Sequence, residues 1–251
     1  MGLGGRSVLA LAAAGVIVAA SPAAAAYTPI GNASHYALHT GYDYYTHKNV
    51  VIRWNPCRTI SYKINPTGGG SRAIVDAQAA IARVSKATGI PFHYAGTTTY
   101  IPHLIAVRLA NGIISYHYDR TGQAKVAPLV IAWAKRGTGT GTSNYLKPGS
   151  EAGVGGWNVA TSTTSRLRIT LGFAVFDSAK TKYFPTGFGK GSSVGHLILH
   201  EVGHAMGLAH YSDVLMIMNP YFSTTSGVAE FNRGDLTGLT KVGRPAGCIS
   251  P

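Results

Sequence analysis

Late in the chain, the stretch Ser193-Val-Gly-His196-Leu-Ile-Leu-His200-Glu201-Val-Gly-His204-Ala-Met-Gly207-Leu-Ala-His210 carries residues whose types and spacing suit metal chemistry. Ser192 or Ser193 can cap a helix running to about Met206, with Leu197, Ile198, Leu199 and Val202 supplying apolar faces. On that helix His200 and His204 lie four apart, so their rings sit one turn above each other and can share one metal ion. Glu201 is adjacent in sequence but angled to one side. It can hydrogen-bond a metal-bound water without being a ligand. A third ligand requires the chain to reverse. Gly207 stands where the helix should end and can take the left-handed conformation that a β-carbon disfavours, turning His210 back toward the other two imidazoles. Three neutral imidazoles with one open position make a catalytic rather than a structural zinc site.

Rival ligands are weaker. His196 precedes His200 by one turn, but that pair has no glutamate after its first histidine and gives Gly207 no purpose. His196 therefore reads as a buried residue behind the site. Glu230 or Asp213 as a distant acidic ligand would leave Gly207 and His210 without a role, and Asp213 reads instead as a residue shaping the following turn. His35, His39, His47, His93, His103 and His117 have no ligand spacing.

The elements that must position this stretch form an α+β pattern. Residues 27–49 are rich in Tyr and His without a clear period and read as an extended arm. Residues 50–54 and 59–64 look like strands on either side of Asn55-Pro56-Cys57. Ser71 is expected to cap a helix with the apolar stripe Ile74, Ala77, Ile81 and Val84, stopped by Gly89-Ile90-Pro91. Residues 113–118 alternate as a strand, and 129–133 form a short apolar run suited to a buried one. Residues 135–165, rich in Gly, Thr and Ser, read mostly as loop, before another alternating strand over 167–176.

Arg6, an apolar stretch over residues 8–20 and Ala24-Ala25-Ala26 form a signal-peptide pattern, giving a division into 1–26 signal peptide, 27–49 arm and 50–251 catalytic domain. The apolar core is too short to span a bilayer, which takes about 20 helical residues. The expected location is secreted, with no transmembrane anchor after signal removal. Hydrophobic residues at 45% and charged residues at 12% exclude a disordered chain. Without Arg6, 21 basic residues exceed nine acidic ones by 12, which suits an anionic cell-wall polymer. The cations are scattered rather than in runs, so no specific nucleic acid is expected. Cys57 and Cys248 are expected to form one disulfide in an oxidising compartment, stabilising the fold by up to roughly 5 kcal/mol. The competing use of one cysteine as a silencing zinc ligand leaves its partner unexplained.

The stretch His200-Glu201-x-x-His204-x-x-Gly207-x-x-His210 resembles the metzincin metallopeptidases and is most similar to the matrixins. Residues 214–221 follow the third histidine, and Met218 with Pro220 two residues on is similar to the matrixin methionine turn, with Met216 the second candidate. Weaker similarity extends over about 50–248, including a closing helix around residues 234–239. The resemblance implies a zincin/metzincin-like fold: a twisted, mainly mixed β-sheet with an N-terminal helix, an active-site helix and a C-terminal helix. It implies an endopeptidase that acts on polypeptides with one catalytic Zn2+, Glu201 serving as base. An extended substrate would add to a sheet edge, for which residues 154–159 are a candidate, and the pocket beyond the scissile bond would be lined by residues 218–222, including Asn219, Pro220 and Tyr221. Calcium is not implied, since the acidic residues lie singly. No cysteine occurs in 27–49 to serve an inhibitory prosegment. Tyr221 lies one residue too far beyond Met218 to inherit the metal-binding role of the tyrosine in astacin-like relatives. Two other readings of the zinc site stand beside this one: a metallohydrolase directed at cell-wall peptide, and a zinc-stabilised cell-surface binding module without catalysis.

Overall fold

The structure, a computed structural model, describes residues 27–109, 113–149, 152–221 and 227–250, so the signal-peptide pattern of 1–26 and Phe222 lie outside the described residues. The chain order begins with three short strands, β1 (Ala37–Leu38), β2 (Thr40–Asp43) and β3 (Lys48–Val51), then β4 (Ile60–Asn65). It continues with helix α1 (Ala73–Thr88), β5 (Phe92–Thr97), the hairpin β6 (Leu104–Arg108) and β7 (Ile114–Tyr118), short α2 (Arg120–Ala124) and β8 (Leu129–Arg136). After β9 (Thr142–Ser143) come β10 (Gly153–Ser162), β11 (Ser165–Asp177), short α3 (Ser178–Thr181), α4 (Val194–Met206), β12 (Leu208–Ala209) and α5 (Arg233–Val242).

The main sheet has the order β10-β11-β8-β4-β5, with β9 joined to β8. Strand β8 is central, paired with β4 and β11, and its apolar run is buried on both faces: Ile131 and Trp133 lie in one cluster with α1 and α4, Val130 and Ala132 in another with Ala127. The pairs β4/β5, β4/β8 and β8/β11 are parallel, whereas β10 runs antiparallel to β11 and forms an edge. Helices α1 and α4 cover one face. The α1 stripe of Ala77, Ala80, Ile81 and Val84 is buried in one cluster with Ile64, Ile131, Trp133 and Phe176 of the sheet and Leu197, Ile198 and Val202 of α4. The fold is α+β and zincin-like, as the resemblance implied. Cys57 and Cys248 are joined, 191 residues apart with Cα atoms 5.4 Å apart, tying the approach to β4 to the chain's end. Among the described residues, no helix is long and apolar enough to cross a membrane.

Three regions depart from the sequence expectations. The arm over 27–49 contains β1, β2 and the start of β3; β2 and β3 pair with each other, and β1 pairs with β12. Arg72 rather than Ser71 stands at the N-cap of α1, without a side-chain cap. Most important, the supposed loop over 135–165 contains the ten-residue β10. Its glycines serve a close approach: a β-carbon on Gly155 would lie 2.0 Å from the Glu201 carbonyl oxygen. Composition suggested a loop, but the bareness of this strand lets α4 lie against it.

Candidate metal centre

Helix α4 starts where the Ser193 hydroxyl accepts a hydrogen bond from the His196 N–H, 3.2 Å away. Nearly all of α4 is buried between α1 and the sheet, so its side chains have little freedom. Gly207 ends it at φ +105°, donating its N–H to the carbonyls of Gly203 and His204. A β-carbon there would also meet the Ile52 carbonyl oxygen at 2.4 Å, so the position excludes other residues on two counts.

Beyond that turn His210 comes back over the helix. Its Nε2 lies 2.9 Å from Nε2 of His204 and 3.2 Å from Nε2 of His200. The opposite ring nitrogens of the two helix residues are taken up. Nδ1 of His200 is 2.7 Å from the Ile217 carbonyl oxygen, and Nδ1 of His204 is 2.9 Å from that of Leu208. A carbonyl only accepts, so each Nδ1 carries the proton and each Nε2 presents a lone pair to the shared point. Burial, together with the neighbouring imidazoles, pushes His200 down to about 3, while burial brings His204 to about 4 and lowers His210. Converging lone pairs on neutral rings repel unless a cation lies between them. The donor set fits a zinc ion, and these three residues could hold one.

The remaining expected residues fall around this point. Glu201 is buried and its side chain lines the cleft with Gly153, whose β-carbon position lies 3.0 Å from Glu201 Cγ. Ala152 and residues 153–155 of β10 form one wall of the cleft, and Pro220 and Tyr221 stand on another, enclosing about 280 Å³. Asn219 is buried beneath that wall, its side-chain oxygen accepting the Tyr221 N–H at 2.8 Å. Met218 is buried under α4, its sulfur 2.4 Å from where a β-carbon of Gly203 would stand, whereas Met216 packs toward Gly31 and Gly234. His196 is buried and stands outside the group of three; burial pushes it to about 4, against the Gly191 backbone. Asp213 pairs with His35 at 2.6 Å and Glu230 with Arg83 at 2.7 Å, so both acids are engaged elsewhere.

Sequence reasoning missed the support for the turn. Asp235 is buried and accepts the backbone N–H groups of Ile217 (2.9 Å), Met218 (3.2 Å) and Asn232 (3.0 Å). Burial pushes its carboxyl up to about 6, against those three donors. The signal was present: Asn232 and Asp235 have the spacing of a capping box, which they form at the start of α5. His35 and His39, which touch the segment around His210, carried no such signal.

No curated protein matches this chain. The sequence model of the matrixins matches residues 53–242, which takes in the main sheet, the three histidines, Met218 and α5. With most of its length inside that match, the chain belongs to the matrixin family of zinc metallopeptidases.

Proposed function

We propose that this protein is an exported zinc endopeptidase in which His200, His204 and His210 hold the ion and Glu201 is the general base. The observation that carries this reading is the convergence of three Nε2 atoms beside Glu201, in a cleft bounded by the edge strand β10. Bound zinc would act as a Lewis acid, bringing water toward neutral acidity and polarising the scissile carbonyl. The Glu201 carboxylate takes a proton from the attacking water and delivers it to the departing amine nitrogen. Strand β10, at the edge of the sheet, offers its outer backbone groups to an extended polypeptide. The edge continues from the cleft to Ser162, which supports cutting within a long chain rather than at its ends. Pro220 and Tyr221 would flank the side chain beyond the scissile bond, over buried Asn219 and Met218. Export is supported by the signal-peptide pattern of 1–26 and by the disulfide, which suits an oxidising compartment.

Digestion of casein or gelatin with and without a chelator, beside the Glu201→Gln variant, tests this. Chelation should abolish cleavage. Glu201→Gln should keep one zinc per chain by metal analysis while kcat falls about 10³-fold. Near-full activity in that variant would remove Glu201 as the base. A wild-type protein that binds zinc, unfolds on its removal and cuts nothing would instead be a zinc-stabilised binding module.

A further inference from the structure

Residues 27–52 precede the part of the chain that matches the matrixins, yet they hold the backbone on both sides of the third imidazole. Before His210, Ala37 and Leu38 pair with Ala209 and Leu208, and the His39 N–H donates to the Gly207 carbonyl at 3.2 Å. After it, the His35 ring stacks on Tyr211 with centroids 5.0 Å apart, and His35 Nδ1 lies 2.6 Å from the Asp213 carboxylate. The other two imidazoles are each fixed by a backbone carbonyl at Nδ1, whereas Nδ1 of His210 has no hydrogen-bond partner among the described residues. The direction in which His210 points is therefore set by its backbone, and the N-terminal segment grips that backbone.

We propose that this segment, through the His35–Asp213 pair and the β1–β12 pairing, positions the third metal ligand, so that residues ahead of the family match belong to the metal centre. This rests on the reading that the three histidines hold zinc. His35 is a positioning residue: it acts through Asp213 and Tyr211 and does not itself coordinate. Groups that orient metal ligands commonly change affinity 10–100-fold when removed.

The test uses the full exported chain and measures zinc affinity by chelator competition, together with the visible absorption of the Co2+-substituted protein. His35→Ala and Asp213→Ala should each weaken zinc binding about 10–100-fold and alter the cobalt bands. The double variant should be no worse than the poorer single one, because both remove the same pair. His35→Asn, whose side-chain N–H2 stands where Nδ1 does and can still donate to Asp213, should recover most of the affinity. Tyr27→Phe removes the 2.6 Å bond to Asn232 in the same segment and should leave affinity and bands unchanged. If the alanine variants fail to fold, Asp213→Asn decides: several-fold weaker zinc binding supports the proposal. Wild-type affinity and an unchanged cobalt spectrum in the variants, even with lower thermal stability, would overturn it. A wild-type chain that binds no zinc would overturn the reading of the site itself, and this proposal with it.

Discussion

The three imidazoles reach the same point by different means. His200 and His204 project from a helix buried on nearly every side, and each ring is locked by a carbonyl from elsewhere in the chain. His210 lies past a left-handed turn, is exposed, and is aimed by backbone contacts alone. A spacing in sequence can thus specify three equivalent donors while the fold supports them unequally. Side chains ordered before the ion binds lose less freedom when it does.

The largest expected effect separates the two kinds of ligand. His200→Ala should weaken zinc binding on the order of 10³-fold or more, given a total of roughly 10–16 kcal/mol for zinc in small folded sites. His210→Ala should cost about tenfold less in affinity, because its imidazole is the least ordered beforehand. Equal losses would break the comparison. Next is the turn that joins the two kinds. Gly207→Ala imposes φ +105° on a residue with a β-carbon and drives that carbon into the Ile52 carbonyl. A loss of roughly 3 kcal/mol is expected in denaturant titration, with zinc binding weakened along with it. Asp235→Asn places an amide N–H2 against backbone donors beneath Met218 and should cost about 2 kcal/mol. A neutral outcome would mean that those N–H groups are satisfied without the carboxylate.

The smallest effect is a pH dependence on the His210 side. The hydrogen bond from His35, and then that from the Leu215 N–H, hold the Asp213 carboxyl below its ordinary value. A lowered carboxyl contributes stability that is complete above the unfolded value, about 3.9. That contribution is lost as pH falls through the lower folded value. Wild type and Asp213→Asn should therefore differ in melting temperature at pH 6 and converge as the pH falls below the ordinary carboxyl value. A difference that persists in acid would show that geometry, not charge, carries the contribution.

What could be read from the sequence follows the range of the forces involved. The stretch from Ser193 to His210 was legible because helix period, N-cap and glycine stop are all local. The α1 stripe and the strands around 129–133 and 167–176 were legible for the same reason. Strand β10 was legible only in part: residues 154–159 stood as a candidate sheet edge through the family resemblance, whereas its glycines answer to Glu201, some forty-five residues away, and local composition alone resembles a loop. The N-terminal segment was opaque. Strand β1 is two residues long, too short for alternation, and exists because Leu208 and Ala209 lie beside it. The strand at 113–118 was visible, whereas its partner β6 was not singled out, since pairing is not encoded in either strand by itself.

The contact between Gly155 and the Glu201 backbone bears on how such an enzyme can diversify. One wall of the cleft is fastened to the helix that carries the glutamate, with no room for even a methyl group at the junction. Any side chain acquired there would displace the helix before it could touch a substrate. On the opposite wall, Tyr221 is 82% exposed. If the cleft binds substrate as proposed, a substitution at Tyr221 can alter what it accepts without moving the helix, whereas one at Gly155 cannot.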